Sequence, residues 1–313
     1  MNRLVAIVGP TGTGKSRLAI YLARRFHGEI VNADSRLVYR YLDIGTAKPS
    51  PEELAEVPHH LVNIIDPDED FNLARYQQLA TAAIVAIQQK NRLPLLAGGS
   101  GLYIRAVLEG WQVPEVPPDP ALRRRLEDEA SRQGTEPLYR ELLAADPEAA
   151  QKIDPRNVRR VIRALEVQQQ TGRPFSQFQR KVPPPYDTCI VGLTVERKEL
   201  YRRLDRRVDE MMARGLVGEV EKIAQMGYDL KLPALSSIGY RQVIRFMVGE
   251  LTLEEAVQQI KNETHRLVRQ QNAWFQEGDE RIHWFDIETS PDEEIAGFIA
   301  EFLRGMEQEK GRA

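Results

Sequence analysis

Residues 9–16 have the sequence Gly9-Pro10-Thr11-Gly12-Thr13-Gly14-Lys15-Ser16, which matches the pattern G-x-x-x-x-G-K-[ST]. The aliphatic run Leu4–Val8 precedes this stretch, and helical spacing of apolar residues follows it from Ser16 to Phe26. In such a loop, glycines let successive backbone N–H groups point at phosphate oxygens, and the helix N-terminus adds positive partial charge. Lys15 adds a point charge, and the Ser16 hydroxyl can ligate Mg²⁺. The sequence therefore predicts a phosphate-binding loop, and it leaves open which polyphosphate is bound.

Short aliphatic runs alternate with helical patterns on both sides of this loop. Further strands are expected at Glu29–Ala33, Leu93–Ala97 and Cys189–Val195, with a short one at Ile282–Phe285. This alternation is typical of a parallel sheet joined by right-handed crossovers. We therefore expect an α/β fold with a P-loop NTPase-like core, an inserted all-helical domain and a helical C-terminal part.

Two proline-dense segments indicate where the insertion lies. Val113–Pro120 and Val182–Pro185 can be neither helix interior nor central strand, and the chain between them is polar with helical patterns. We expect residues 1–118 to form the first part of the α/β core, residues 119–187 a helical insertion, and residues 188–313 the remainder of the core.

Composition excludes several classes of protein. The 313 residues are 42% hydrophobic and 28% charged, as in an ordinary globular protein with a sizeable core. The single cysteine, Cys189, excludes an intrachain disulfide and a cysteine-based zinc site. The formal charge of −3 argues against indiscriminate binding of nucleic acid. No apolar run approaches the ~18 residues of a membrane helix, so we expect a cytoplasmic protein with no membrane partner.

The acidic residues near the loop limit its chemistry. A phosphoryl-transfer enzyme usually has an acidic Mg²⁺ residue at a strand end, but Leu93–Ala97 is followed by Gly98-Gly99-Ser100-Gly101. Asp34, after the strand Glu29–Ala33, is the acid that emerges near the loop. From the residues alone, Asp34 could equally be a Mg²⁺ ligand or a general base.

Several motifs outside the loop resemble those of one family, the bacterial tRNA dimethylallyltransferases, also called tRNA isopentenyltransferases. The resemblance covers nearly the whole chain, and a phosphate loop alone does not explain motifs of this length. They are Asn32-Ala33-Asp34-Ser35-Arg36-Leu37-Val38-Tyr39-Arg40, Asp43-Ile44-Gly45-Thr46-Ala47-Lys48-Pro49, Val57-Pro58-His59-His60-Leu61, Gly98-Gly99-Ser100-Gly101-Leu102-Tyr103, Arg159-Arg160-Val161-Ile162-Arg163-Ala164-Leu165-Glu166, Gly215-Leu216-Val217 and Ile238-Gly239-Tyr240.

The resemblance implies transfer of a dimethylallyl group from dimethylallyl diphosphate to N6 of the adenine next to the anticodon, position 37, in tRNAs that read U-initial codons. It implies that Gly9–Ser16 holds the diphosphate of the donor, not ATP, with Mg²⁺ as cofactor on Ser16. By the same resemblance Asp34 is the general base, and Ser100 and Arg207 complete the catalytic set. The adenine would flip out of its stack to reach Asp34. The family precedent is a monomer.

A cationic stripe in the expected insertion is a candidate RNA surface. Lys152–Lys181 carries eight basic and two acidic residues, a net charge of +6, and four arginines (156, 159, 160 and 163) have helical spacing. A solvated helix face shows the same pattern, but the resemblance favours an RNA contact. The positions that match tRNA-facing residues of the family are Asp34, Ser35, Arg36, Leu37, Ser100, Arg123, Arg159, Arg160, Val161, Ile162, Arg163, Ser236, Ser237, Ile238, Gly239, Tyr240 and Arg241.

The chain departs from the family pattern at a few positions. Ser100 stands where the family usually has Thr, Leu37 where many members have Gln, and His265 and Gln270 where basic residues are usual. The resemblance therefore does not carry phosphate contacts over to the helix around His265 and Gln270.

Three other functions stay open at this point. A prenyltransferase acting on free adenine nucleotides would share the loop and Asp34, but it has no need of a cationic helical insertion. A P-loop small-molecule kinase is disfavoured by Gly98–Gly101 where an acid is expected. A non-enzymatic RNA-binding module is disfavoured by the intact loop beside Asp34.

Overall fold

The computed structural model describes residues 2–310, apart from the side chains of Gln179 and residues 306–310. Six strands form one sheet in the order β3-β2-β4-β1-β5-β6, and every neighbouring pair is parallel. The strands are β1 (Arg3–Val8), β2 (Gly28–Asn32), β3 (His59–His60), β4 (Leu93–Ala97), β5 (Asp187–Thr194) and β6 (Ile282–Asp286). The helices are α1 (Lys15–Arg25), α2 (Pro51–Glu56), α3 (Leu73–Gln89), α4 (Gly101–Leu108), α5 (Pro120–Gln133), α6 (Glu136–Ala145), α7 (Pro147–Lys152), α8 (Val158–Thr171), α9 (Arg197–Ala213), α10 (Leu216–Gln225), α11 (Tyr240–Met247), α12 (Leu253–Asn272) and α13 (Asp292–Lys310).

The sheet confirms the expected α/β fold. Every residue of β1, β2 and β4 is buried, as continuous aliphatic runs require when helices cover both faces of a parallel sheet. The strand β3 was not predicted, because its two histidines carry no strand pattern. The core around β1 is completed by α1 and α13, which contribute Leu18, Leu22, Ile295 and Ile299.

The chain divides into two compact units, one of residues 2–104 with 185–310 and one of residues 105–184. The second unit begins at Arg105, ahead of the expected boundary at 119, and the first proline-dense segment lies inside it. Backbone pairing explains this difference, because Gln112 N donates to Arg180 O at 2.9 Å and Val182 N donates to Gly110 O at 2.8 Å.

The second unit is helical. Helices α5, α6, α7 and α8 enclose a core of apolar side chains that includes Leu126, Leu142 and Leu165. Among the described residues of this unit, the only β pairing is an isolated bridge between Trp111 and Lys181. In the part of the chain that the structure describes, no helix is both long and apolar enough to cross a membrane.

Candidate active site

Three loops meet at one edge of the sheet, because β1, β2 and β4 are parallel neighbours and their carboxyl ends lie together. The phosphate loop follows β1, the segment that begins at Ala33 follows β2, and Gly98–Ser100 follows β4. Backbone bonds join the last two, since Ala33 N donates to Ala97 O at 2.8 Å and Ser100 N donates to Ala33 O at 3.1 Å. Asp34 and Ser100 therefore lie on adjoining loops.

The phosphate loop has backbone conformations that require glycine. Gly9, Gly12 and Gly14 have φ values of +132°, +89° and +80°, and Gly14 precedes the first residue of α1. A Cβ at Gly9 would also lie 2.5 Å from the carbonyl oxygen of Leu193 on β5. The loop is thus packed directly against the neighbouring strand, with the start of α1 behind it.

Lys15 folds back over this loop. Its Nζ donates to Pro10 O at 2.6 Å, and the Thr13 hydroxyl donates to the same carbonyl at 2.9 Å. Burial lowers the pKa of Lys15 to about 7; Arg207 acts in the same direction, and the Asp34 carboxylate opposes it. An anion bound in the loop would raise the pKa of Lys15 again, because negative charge nearby favours the protonated ammonium group. Binding of an anion would therefore protonate Lys15.

Asp34 is held in a tight turn, not at a helix N-terminus. Its backbone N–H donates to Asn32 Oδ1 at 2.8 Å, and its Oδ1 accepts from Arg36 N at 2.9 Å. Asn32 is itself buried, and its amide donates to Asp34 O and Leu61 O, both at 2.9 Å. Within residues 2–310 no hydrogen-bond donor is assigned to Asp34 Oδ2, so this oxygen is available to a ligand.

Ser100 and Arg207 complete the predicted catalytic set. The Ser100 Oγ accepts from Ser35 N at 3.1 Å, which leaves the hydroxyl proton free to be donated to a ligand. Arg207 lies on α9, and its Nη1 donates to Thr11 Oγ1 at 3.4 Å. Burial lowers the pKa of Arg207, while the Asp34 carboxylate raises it.

One cavity of about 820 Å³ brings most of the predicted residues of this unit together. From the three loops and α9 it is lined by Thr11, Asp34, Ser35, Arg36, Ser100 and Arg207, and from the first turn of α11 and the residues before it by Ser236, Ser237, Ile238, Gly239 and Arg241. Leu37 and Tyr240 do not line it, and of the phosphate-loop residues Gly9–Ser16 only Thr11 does. Apolar residues of α9 and α12 form one wall, namely Leu204, Val208, Met211, Ile260 and Leu267.

Three of the residues that match RNA-facing positions are buried. Val161 and Ile162 belong to the core of the helical unit, and Tyr240 is fully buried with its hydroxyl donating to Glu219 Oε1 at 2.5 Å. Burial keeps these side chains from contacting RNA in this conformation, so an RNA contact at the three positions stays a prediction for the backbone alone. Their apolar bodies instead hold the neighbouring polar residues in place.

The four arginines of the expected stripe do not share one helix, because Arg156 precedes α8 and only Arg159, Arg160 and Arg163 lie on it; they also divide into paired and unpaired members. Arg163 donates to the fully buried Glu166 at 2.6 Å, and Arg123 donates to it at 2.8 and 2.7 Å. Burial opposes ionisation of Glu166, but Arg123, the backbone N–H of Asp119 and Arg163 outweigh it and lower its pKa.

The unpaired members of the stripe are Arg159 and Arg160. Both are exposed, and the described residues offer neither guanidinium an ion pair. Arg156, by contrast, pairs with Asp154 at 2.7 Å. The cationic surface available to a partner is therefore centred on Arg159 and Arg160.

Sequence reasoning missed several residues that line the cavity, and among them Gln271 on α12 makes the most direct contacts with the predicted loops. This side chain is 7% exposed, and it hydrogen-bonds both the phosphate loop and the Gly98–Ser100 turn. Its two bonds could not be predicted from the sequence, because its partners Thr11 and Gly99 are far away along the chain. His265, a departure from the family pattern, stacks on Tyr201 at 4.0 Å and does not line the cavity, whereas Gln270 lines it.

A divalent cation would find few protein ligands here. Among residues 2–310 there is no group of three His, Cys, Asp or Glu side chains that could hold a metal ion. Ser16, in the first turn of α1, is exposed, and no hydrogen bond involving its hydroxyl is assigned. This donor set fits a Mg²⁺ ion that brings phosphate oxygens and water as most of its ligands.

The fold and the loop define a P-loop-type α/β protein that places a phosphate cradle beside a carboxylate. A family model described as IPP transferase matches residues 37–278. Since that match covers most of the chain, this protein belongs to the IPP transferase family and is a prenyl transferase.

Relatives and solved structures agree with this assignment. The chain is 49% identical to the tRNA dimethylallyltransferase of Dehalococcoides mccartyi, over 96% of this chain and 92% of that one. It is 54% identical to that of Roseiflexus castenholzii, over 88% and 90% of the two chains.

Among solved structures, the full-length tRNA isopentenylpyrophosphate transferase of Bacillus halodurans superposes with a TM-score of 0.73 at 39% identity, covering 99% of this chain and 100% of that one. A eukaryotic dimethylallyltransferase acting on tRNA superposes with a TM-score of 0.83 at 27% identity, covering 97% and 80%.

Proposed function

We propose that this protein transfers the dimethylallyl group of dimethylallyl diphosphate to N6 of adenine 37, next to the anticodon, in tRNAs that read U-initial codons. The observation that carries the proposal is a single cavity lined by Thr11 of the phosphate loop, Arg207, Asp34 and Ser100. Cationic and N–H groups suited to a diphosphate thus lie beside a carboxylate suited to an amine. The names of the relatives support the same chemistry.

On the donor side, the diphosphate lies in the Gly9–Ser16 loop. The bond between C1 of the dimethylallyl group and its oxygen breaks, and pyrophosphate leaves with the electron pair. Loop N–H groups, Lys15 and Arg207 stabilise the negative charge that grows on this leaving group. The apolar wall of the cavity, which includes Leu204 and Val208, accommodates the dimethylallyl chain.

On the acceptor side, the adenine flips out of the anticodon loop and presents N6 to Asp34. The free Oδ2 of Asp34 accepts a hydrogen bond from the amine and takes its proton as the bond between N6 and C1 forms. The Ser100 hydroxyl donates a hydrogen bond near the reacting groups. Arg36, Ser236, Ser237 and Arg241 lie along the cavity and contact the flanking nucleotides.

Two further components belong to the proposal. Mg²⁺, held by the Ser16 hydroxyl and the diphosphate, would add positive charge at the leaving group. Exposed Arg159 and Arg160 bind phosphates of the anticodon stem, while Arg123 and Arg163 hold Glu166 and shape the helical unit. The protein acts as a monomer in the cytoplasm.

The proposal is tested by transfer of label from radiolabelled dimethylallyl diphosphate with Mg²⁺. Parallel reactions contain an unmodified anticodon stem-loop, the same stem-loop with guanine in place of the target adenine, free AMP, or no acceptor. We expect label on the adenine stem-loop alone. Label on AMP would favour a nucleotide prenyltransferase, and hydrolysis of ATP without transfer would favour a phosphoryl-transfer enzyme.

A further inference from the structure

The side chain of Gln271 connects the two halves of the proposed active site. Its Oε1 accepts from Thr11 N in the phosphate loop at 2.8 Å, and its Nε2 donates to Gly99 O in the turn after β4 at 2.9 Å. Both contacts come from one buried amide in the last turn of α12. A buried amide whose two ends are both bonded is fixed in orientation, and so are the loops at either end.

Each of these loops carries a group of the proposed reaction. The Thr11 hydroxyl accepts from Arg207 Nη1 at 3.4 Å, so the position of Thr11 affects the diphosphate side. Gly99 precedes Ser100, whose Oγ accepts from Ser35 N beside Asp34. Gln271 therefore links the leaving-group side to the base side by side-chain bonds, in addition to the backbone pairing of β4 with β1 and β2.

The packing around Gly99 indicates that the turn is shaped to admit the Gln271 side chain. A Cβ at Gly99 would lie 2.4 Å from Gln271 Nε2, so only glycine allows the amide to approach. A Cβ at Gly101 would lie 2.3 Å from Trp274 Cγ, in the turn that follows α12. The end of α12 is thus seated directly on the Gly98–Gly101 turn.

We propose that Gln271 is a positioning residue that fixes the spacing between the diphosphate cradle and the acceptor base. The proposal rests on the proposed function and deepens it. Displacement transfer needs donor carbon and acceptor nitrogen in line, and a misplacement of about 1 Å can cost about 100-fold in rate. The two protein bonds use one lone pair and one N–H of the amide, and Gln271 also lines the cavity, so the affinities measured below separate positioning from direct substrate contact.

Gln271→Met tests the bridge by removing both hydrogen bonds with little change in side-chain length. We expect kcat to fall by at least about tenfold, while the dissociation constants of donor and stem-loop change by less than about threefold. Melting temperature is measured in parallel to show that the variant is folded. An unchanged kcat, or affinity losses that account for the whole effect, would overturn the proposal.

Gln271→Glu supplies a readout that general destabilisation would not produce. A protonated carboxyl can accept from Thr11 N and donate to Gly99 O, whereas the carboxylate can only accept. Burial raises the pKa of such a carboxyl, so more of it is protonated as the pH falls. The kcat of Gln271→Glu relative to wild type should therefore rise severalfold as the pH is lowered from about 8 to about 6. Taking the ratio at each pH cancels the titration of Lys15, which both proteins share.

Gln270→Glu is the matched control, because it places the same charge on the neighbouring, exposed position that lines the same cavity. The ratio of its kcat to the wild-type kcat should stay constant over that pH range, since an exposed carboxyl is ionised throughout. A constant kcat ratio for Gln271→Glu as well would contradict the positioning role of Gln271. Unfolding of both Gln271 variants would contradict it too. Failure of the wild-type protein to prenylate RNA would instead reject the proposed function, whatever the variants do.

Discussion

Two side chains of the proposed site, Asp34 and Lys15, are held in place by hydrogen bonds to nearby protein groups. Asp34 is fixed by Asn32 and by its own bond to Arg36 N, and Lys15 is held against Pro10 O. Such bonds determine where each charge lies before a substrate binds. Preorganisation of this kind lowers the free energy needed to align groups during reaction.

We predict that binding of dimethylallyl diphosphate takes up protons at Lys15. Burial lowers the pKa of this ammonium group to about 7, so at about pH 8 the free protein holds it mostly neutral. The bound diphosphate raises that pKa, and donor affinity should fall as pH increases above 7, by up to about tenfold per pH unit. Calorimetric titration at about pH 8, in buffers of different ionisation enthalpy, measures the uptake.

Lys15→Met provides the control for this titration. It should bind the donor more weakly, with a heat that no longer depends on the buffer through this group. Identical heats in all buffers for the wild-type protein would contradict the prediction, because they would mean that Lys15 is already charged in the free protein.

Among the elements, α8 shows how one helix separates structural arginines from exposed ones. Arg163 reaches the buried Glu166 within its own helix, whereas Arg159 and Arg160 point to solvent. Uniform spacing along the sequence did not distinguish them. The difference arises from Glu166, which also receives Arg123 from α5 and must be neutralised because it is buried.

We predict that a double substitution of Arg159 and Arg160 to Glu weakens stem-loop binding and leaves the melting temperature nearly unchanged. Each lost phosphate contact should reduce the slope of log affinity against log salt by about 0.7–0.9. Filter binding over a range of salt concentrations measures this. An unchanged slope would mean that Arg159 and Arg160 belong to an ordinary solvated helix face and do not contact RNA phosphates.

Arg163→Ala is predicted to lower the stability of the protein, in contrast to the Arg159 and Arg160 substitutions, which should weaken RNA binding. It leaves Glu166 with one partner fewer, so the free energy of unfolding should fall by about 1–3 kcal/mol. Arg156→Ala is the matched control, since its pair with Asp154 is exposed and screened by solvent and contributes little to stability. Denaturant unfolding compares the two, and equal losses would contradict the assigned role of Glu166.

The turn after β4 is predicted to tolerate no side chain at its first residue. A Cβ at Gly98 would lie 2.2 Å from the Ala33 carbonyl carbon and oxygen, both of them backbone atoms. Gly98→Ala should therefore destabilise the protein by about 3 kcal/mol or more. Gly218→Ala, inside α10 with open space around it, should stabilise by up to about 1 kcal/mol. Thermal unfolding of the two variants tests this, and similar melting temperatures would contradict it.

The elements differ in how much the sequence could predict. Leu93–Ala97 and the helix after the phosphate loop were predictable because their signals are local, one an apolar run and the other a periodic pattern. The strand His59–His60 was not, since its conformation depends on pairing with β2. Gln271 was missed for the same reason, because both of its partners are brought to it by the fold.

Over the whole molecule, charge is distributed unevenly. The net charge is −3, and Lys152–Lys181 alone contributes +6, so the rest of the chain carries −9. This arrangement favours RNA binding at one segment, while the negative charge of the remainder disfavours nonspecific binding of nucleic acid.

The parallel sheet brings Thr11, Asp34 and Ser100 together at one edge from separate parts of the sequence.

The central claim is that Asp34 accepts the amine proton while the phosphate loop holds the leaving group. The most direct test is the single-turnover rate of prenyl transfer to the anticodon stem-loop by Asp34→Asn. An Asn side chain can still accept from Arg36 N, so the turn is retained and the base is lost. We predict a rate about 10²- to 10⁴-fold below wild type. Donor and RNA affinities should stay within about threefold of wild type, and a rate near that of wild type would contradict the account.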